Sequence, residues 1–324
     1  MAKRLRILSG VQPSGVLHIG NYFGAIRQHI AMQDEGEAFY FIANYHALTT
    51  VNDAETLREY TRGVALDYLA LGLDPERATF FRQSDVPEVC ELTWMLSTVT
   101  GMGLLERAVS YKDKVARGIQ PRVGLFTYPV LMAADILIYD SDVVPVGADQ
   151  VQHIEMTRDM AQYFNSTYGE VFKLPDARVE EATAKVPGTD GQKMSKSYGN
   201  TIGIFDEGKP LKQSVMGIVT DSTPVEAPKD PETNTIFQLY TLVASPEEVD
   251  DMAARFRAGG YGYGDAKKRL LASVDAYFGP FRERRRELAE NPSTVEEILR
   301  AGAERARREA RKVVDRARHA CGVG

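Results

Sequence analysis

The sequence predicts an α/β fold: a doubly wound parallel sheet with a smaller all-helical region after it. Three observations carry that expectation. Short apolar runs alternate with segments of helical periodicity over the first half of the chain, the pattern of βαβ units. One run, Ala38-Phe-Tyr-Phe-Ile-Ala43, is apolar throughout, as suits a parallel strand buried on both faces. Beyond about residue 185 the strand signals thin out and the periodicity becomes helical.

The first strand runs from Arg4 to Ser9, with Leu5, Ile7 and Leu8 as apolar positions, and ends at Gly10. From Asn21 the spacing Phe23, Ile26, Ile30 marks one face of a helix that Gly36 stops. Asn52 or Asp53 caps the next helix, whose inward side includes Leu57, Val64 and Leu71, and Ala78-Thr-Phe-Phe81 is a third strand. Trp94 to Val99 and Tyr128 to Tyr139 read as helical, the second around an embedded acid, Asp135. Val143-Val144 is a short strand leading through Pro145-Val-Gly-Ala-Asp-Gln150 into another helix. Lys185 to Gly199, rich in Gly, Lys and Ser, reads as a mobile surface loop. Ser245-Pro-Glu-Glu248 is a capping box with proline at the first helical position. Ser293-Thr-Val-Glu296 is a second box, opening a last helix with the apolar stripe Ala303, Ala306, Ala310, Val313 and Ala317.

Composition narrows the function classes. With 324 residues, 44% hydrophobic and 26% charged, the chain has the make-up of a globular protein of two domains. No run of about eighteen apolar residues occurs, so no membrane span is expected, and the basic N-terminus leads into a strand too short for a signal-peptide core. Cys90 and Cys321 make neither a disulfide framework nor a zinc spacing, which points to a reducing cytoplasm. The histidines are few and no Cys/His cluster occurs, so no transition-metal site is expected. A net charge of −6 argues against nonspecific coating of nucleic acid. The charge is uneven, however: Arg300 to His319 holds eight basic against three acidic residues, a face that admits a polyanion without demanding one.

In an open parallel sheet, ligands bind beyond the carboxyl ends of the strands. Ser9-Gly-Val-Gln-Pro-Ser-Gly-Val-Leu-His-Ile-Gly-Asn21 lies at such an end. Its glycines let backbone amides approach a ligand, and the helix start that follows favours phosphate, with His18 where other loops use lysine. Neither G-x-x-x-x-G-K-[ST] nor a G-x-G-x-x-G after a strand is present, and Gly260-Tyr-Gly-Tyr-Gly264 reads as an interhelix turn. Alone, the opening loop is equally an ordinary strand–turn–helix joint. Lys193-Met-Ser-Lys-Ser197 offers two point charges and hydroxyl donors to a polyphosphate, or is a solvated turn.

Together the two stretches resemble the paired signatures of the class I aminoacyl-tRNA synthetases. K-M-S-K-S is intact, and H-I-G-H departs at its last position, where Asn21 stands. Ser9 to Gly15, Gly20-Asn21, Thr127-Tyr-Pro-Val-Leu-Met-Ala-Ala-Asp-Ile-Leu137, Val144 to Gln150 and Val219-Thr-Asp-Ser222 look, in that order, like a somewhat divergent bacterial-type member of the tryptophanyl-tRNA synthetase branch. The resemblance implies a Rossmann-like catalytic domain over 1–200, a helical anticodon-binding domain over 201–292, and a C-terminal helix, 293–324, packing back toward the catalytic domain. It implies a cytoplasmic homodimer, off the membrane, that converts L-tryptophan and ATP to tryptophanyl-adenylate and passes tryptophan to tRNA(Trp).

Residue by residue, the resemblance would put Gln12, Ser14, His18, Gly20 and Asn21 on ATP, with Gly147, Ala148 and Asp149 at ribose and adenine and Val186 against the base. Lys193, Ser195 and Lys196 would take the leaving pyrophosphate, with Met194 and Ser197 in the same ATP-binding motif. His18, Lys193 and Lys196 are thereby implied in catalysis, and Mg2+ would be bound through the nucleotide's phosphates, with no protein metal site. Tyr128, Met132 and Asp135 would line the side-chain pocket, with Gln150 and His46 near the amino acid.

Asp135 has a physical argument of its own. A carboxylate in the apolar setting Leu131 to Ile138 is costly unless partnered. The indole N–H is a donor only, which suits an acceptor-only partner, although an aspartate bridging to a nearby arginine fits the sequence too. Lys112 and Lys114 reach the triphosphate or lie on a solvated helix face. The same choice, tRNA or solvent, holds for Arg307, Arg308, Arg311 and Lys312. His153 reads as structural. Asn44-Tyr-His46 stands where the family more often shows Asp-Gln-His, Ala148 where it often has Glu, and Tyr198 where Asp is common. Three rivals follow: the tyrosyl branch, whose tyrosine–aspartate pair for a phenol the Asp135 block does not resemble; a small-molecule adenylyltransferase; and a binding paralogue that no longer charges tRNA.

Overall fold

The computed structural model describes residues 4–116, 118, 120–179 and 186–324, with the side chains at 110, 113–115 and 149 outside that description. Five strands form one parallel sheet: β1 (Arg6–Val11), β2 (Glu37–Ile42), β3 (Ala78–Arg82), β4 (Val143–Val146) and β5 (Asp176–Val179). Their order is β3-β2-β1-β4-β5. The chain works outward from β1 to β3, then crosses to β4 and β5 on the other side. That reversal beside β1 leaves a crevice at the carboxyl ends of β1 and β4. The register of β1 on β2 runs from Arg6 opposite Glu37 to Val11 opposite Ile42, so β1 extends past Gly10. β5 has no counterpart in the sequence reading. It is a four-residue edge strand of alternating polar and apolar, partly exposed residues, without an apolar run to announce it, and Arg178 on it pairs with Glu35 at 2.6 Å.

Helices α1 (Ala54–Ala70), α2 (Glu88–Val99), α3 (Val123–Leu137) and α4 (Val151–Tyr168) cover the sheet. Asp53 caps α1, accepting a 2.7 Å hydrogen bond from the Thr56 N–H. Leu8, Phe39, Phe41 and Phe81 of the sheet bury against Leu92 and Leu96 of α2 and Val130, Ala133 and Ala134 of α3. Each large apolar side chain so buried contributes roughly 1.5–3 kcal/mol.

By its internal contacts the chain forms two compact units: the described residues of 1–15, 29–181 and 291–324, and those of 16–28 and 182–290. The second unit holds α5 (Gly208–Met216), α6 (Thr235–Tyr240), α7 (Pro246–Ala258) and α8 (Tyr263–Glu290). The Ser245 box is formed: Ser245 Oγ accepts from the Glu248 N–H at 3.4 Å and Glu248 accepts from the Ser245 N–H at 2.9 Å. Residues 16–28 join this unit because the Tyr22 and Phe23 rings pack on Phe278 of α8, 5.4 and 6.1 Å between centroids. The helix there begins at Ile19, two residues before the sequence places it, and passes through a π turn over Tyr22–Ile26.

The last helix, α9 (Pro292–Cys321), lies in the first unit. It starts at Pro292 with Asn291 at the cap position, not at a Ser293 box, and Glu296 instead pairs with Arg82 at 2.6 Å. Its stripe Ala303, Ala306, Ala310, Val313 and Ala317 is fully buried. Its basic face is largely committed within the unit. Arg307 and Arg311 both reach Glu88, Arg318 reaches Glu91, Arg316 reaches Asp140 and Lys312 reaches Glu309, while Arg308 is exposed. Arg307 and Arg311 thereby tie α9 to the acidic start of α2.

Candidate active site

A cavity of about 440 Å³ sits at the carboxyl ends of β1 and β4, where the strand order reverses. Gln12, His46, Tyr128, Met132, Asp135, Gly147 and Gln150 all line it, together with His29 and His153. The first unit thus gathers all five residues expected near an amino acid. Two of those expected near a nucleotide, Gln12 and Gly147, line the same cavity. Ser14 and Ala148 are exposed, on the loop after β1 and the turn after β4, and do not line it. A larger cavity, about 940 Å³, between α1 and the start of α9 shares none of these residues.

Asp135 is 3% exposed and rides on α3, whose apolar face buries it. Gln83 Nε2 donates to both of its oxygens, at 2.9 and 2.8 Å, and His46 Nε2 lies 2.8 Å from Oδ2. The partners are therefore an amide and an imidazole, not an arginine. Burial raises the Asp135 carboxyl above its usual range, and the bonds from His46 and Gln83 partly offset that rise. A carboxylate offers about four acceptor directions, so three contacts leave room for one more donor. Tyr128 Oη lies 3.0 Å from His153 Nε2, so His153, read from sequence as structural, borders the cavity with a partner that also lines it.

Gln83, 1% exposed in the turn after β3, has no counterpart in the sequence reading. Its Oε1 accepts from the Tyr45 N–H at 3.0 Å, which fixes the amide with its NH2 toward Asp135. Next to it, Asn44 Nδ2 donates to Ser84 Oγ at 2.7 Å, and the Ser84 N–H donates to Asn44 Oδ1 at 3.0 Å. The unusual Asn44-Tyr45 thus zips the turns after β2 and β3 together. The one sequence signal for Gln83 is its place, a polar residue directly after an apolar strand.

In the second unit the two signature stretches touch. His18 is the N-cap of the turn Ile19–Asn21: its Nδ1 accepts from the Asn21 N–H at 3.3 Å, while Asn21 Oδ1 accepts from the His18 N–H at 3.1 Å. Burial and the positive charge of Lys196 push the His18 imidazole down to about 4, so it is neutral near pH 7. With Nδ1 accepting, the proton belongs on Nε2. The Gly20 N–H donates to Met194 Sδ at 3.3 Å, and a Cβ on Gly20 would stand 3.1 Å from the Met194 Cβ and 3.0 Å from His18 Nδ1. Only glycine fits that approach without displacement.

Of the stretch Lys185 to Gly199, read as a mobile surface loop, the described part from 186 carries a hydrogen-bond frame centred on the buried Asn200 that follows it. Its side chain accepts from the Ser195 N–H at 2.8 Å and donates to Asp190 at 2.7 Å and to the Lys193 carbonyl at 3.2 Å. Ser195 caps the turn Lys196–Tyr198 through the Ser197 N–H, and Met194 pairs its N–H with the carbonyl of the buried Val186. Lys193, Lys196 and Ser197 are exposed. Asp149 and Lys114, by their side chains, and Lys185 lie outside the described residues; Lys112 is exposed on the helix Val109–Ala116. Among the described residues no group of His, Cys, Asp and Glu could hold a metal ion, and no helix is long and apolar enough to cross a membrane.

The chain matches the family model described as tRNA synthetases class I (W and Y) over residues 1–279. It is 58% identical over 319 residues to the tryptophan–tRNA ligase of Rhodopirellula baltica, spanning 98% of this chain and all of that one. It is 56% identical to the enzyme of the same name from Fusobacterium nucleatum, spanning 98% of each. Among solved structures it is similar to tryptophanyl-tRNA synthetase from Campylobacter jejuni complexed with ADP and tryptophan, with a TM-score of 0.95, 51% identity, and coverage of 98% of this chain and 100% of that one.

Proposed function

We infer the function from the family: the chain belongs to the class I tRNA synthetases (W and Y), and it activates L-tryptophan with ATP and transfers it to tRNA(Trp). The observation that carries the choice of tryptophan is Asp135. It is a buried acceptor in the cavity at the strand-order reversal, with acceptor capacity left for the indole N–H. Phenylalanine would leave that capacity unpaired, and sites of this kind reject the lacking analogue by roughly 10⁴-fold or more. Met132 and Tyr128 flank the ring, Gln150 lies near the amino acid, and His46 lies near it as a partner of Asp135.

In the first step the tryptophan carboxylate oxygen bonds to the α-phosphorus of ATP while the bond from that phosphorus to the bridging oxygen breaks. Tryptophanyl-adenylate forms and pyrophosphate leaves. The protein needs no nucleophile of its own; it positions the reactants and stabilises charge. The neutral His18 donates from Nε2 to a phosphate oxygen, its ring held by the Asn21 N–H. Asn21, in the fourth position of the signature, acts by capping. Lys193, Ser195 and Lys196, with Met194 and Ser197, take the pyrophosphate. Gln12, Ser14, Gly20, Gly147, Ala148, Asp149 and Val186 serve the rest of the nucleotide. Magnesium would come with the nucleotide's phosphates and would supply countercharge to them.

In the second step tryptophan passes to the terminal ribose of tRNA(Trp). The helical region 201–292 reads the anticodon, helix 293–324 supports the catalytic domain of 1–200, and the protein works as a cytoplasmic homodimer. The test is charging of a tRNA(Trp) transcript with labelled tryptophan, with tyrosine and tRNA(Tyr) in parallel. Charging by tryptophan alone is the expected result. Adenylate formation without charging would make the chain a non-charging paralogue and overturn the reading.

A further inference from the structure

Asp135 is the group that meets the indole, yet nothing about a carboxylate fixes which way its acceptor directions point. In this cavity one side chain does so. Gln83 grips both carboxylate oxygens with a single NH2 group, and its own oxygen is clamped by the Tyr45 N–H. Both polar atoms of the Gln83 side chain are thereby used, in a residue that is 1% exposed. An arginine in its place would bring charge and a second fork of donors. A glutamate would have to carry a proton to make the same contact. A neutral amide holds the carboxylate without neutralising it. The clamp also reaches the second partner of Asp135, because Tyr45 and His46 are successive residues of the short helix Asn44–Ala47.

We propose that Gln83 is a specificity-positioning residue: it aims the Asp135 carboxylate so that its remaining acceptor direction selects ring systems bearing an N–H. The inference rests on the reading of Asp135 as the indole acceptor. Gln83 itself need touch no substrate. Without its amide, the carboxylate would rotate about its side-chain bonds or pick up a proton, and either change removes the reason to prefer tryptophan.

The test compares ATP–pyrophosphate exchange with tryptophan and with benzothienylalanine, in which sulfur replaces the indole N–H. Wild type, Gln83→Met and Gln83→Glu are assayed, with Asp135→Asn as reference. In wild type, tryptophan should be preferred strongly. In Gln83→Met, kcat/KM for tryptophan should fall on the order of 100-fold, chiefly through KM, while that for benzothienylalanine changes by less than about threefold. Gln83→Glu should fall between the two, recovering toward lower pH as the glutamate takes up a proton. Retained turnover of the sulfur analogue shows the variants are folded. Equal losses on both substrates, or no loss on either, would overturn the positioning role. If wild type shows no preference, or Asp135→Asn keeps it, the reading of Asp135 has failed instead, whatever Gln83 does.

Discussion

Gly302 is where α9 meets the sheet, and replacing it isolates that contact. A Cβ built on Gly302 would fall onto the Phe80 carbonyl of β3, with the carbonyl carbon only 2.7 Å away. Carbon atoms prefer about 3.5 Å, so that contact alone is short by roughly 0.8 Å, and backbone cannot swing aside as a side chain can. Forced overpacking of this kind costs about 1–3 kcal/mol or more. The helical preference of alanine over glycine returns about 1 kcal/mol; because the clash is with backbone, the upper end of that cost applies, which leaves a net loss of about 2 kcal/mol for Gly302→Ala. At the roughly 2–4 °C per kcal/mol typical of domains of about 150–250 residues, the melting temperature should drop by roughly 4–8 °C. Gly63, in the middle of α1 with nothing within 4 Å of its would-be Cβ, is the internal control. Gly63→Ala should hold or raise the melting temperature. Calorimetry of the two variants decides the matter: if Gly302→Ala melts at or above wild type, α9 does not seat on β3 through that glycine.

Three further outcomes follow from charges. His18 titrates near 4 in the folded chain against 6.5 when unfolded, so between those values the unfolded state binds more protons. Its stabilising contribution is full above pH 6.5 and is lost as pH falls toward 4; His29, shifted down to about 4 by burial, acts with the same sign. Urea midpoints at pH 7 and 4.5 should therefore drift apart less in His18→Asn than in wild type, and equal drift would contradict the burial of His18. A double-mutant cycle of Arg307→Ala with Glu88→Ala should give a coupling of about 0.5–1 kcal/mol that shrinks in high salt. The KM for tRNA should stay near wild type in Arg307→Ala; a large rise in it would give that arginine a nucleic-acid role.

The β1 to β3 half of the sheet is legible in the sequence because its strands are apolar and flanked by well-marked helices, as Ala38 to Ala43 shows. β5 is not legible, because an edge strand needs no apolar run and Asp176–Val179 has none. Asp135 stands out because an acid in an apolar helix demands a partner, but the identity of that partner is a tertiary fact. Gln83 comes from a turn 52 residues away, and His46 from one 89 residues away. The capping role of His18 is equally hidden, since histidine is no common cap and its reciprocal partner is the very residue that departs from the signature. Residues 16–28 join the second unit through the backbone bond from the Ile19 N–H to the Ile202 carbonyl and the ring packing of Tyr22 and Phe23, which no local pattern announces.

The central claim is that a tryptophan-specific activation step depends on Asp135. The most direct measurement is ATP–pyrophosphate exchange at pH 7 for wild type and Asp135→Asn, with tryptophan and tyrosine each as sole amino acid and melting curves recorded alongside. Exchange with tryptophan only, reduced at least about 100-fold in a folded Asp135→Asn, is the expected result. Exchange with tyrosine, or an Asp135→Asn variant that activates tryptophan as well as wild type, would contradict it.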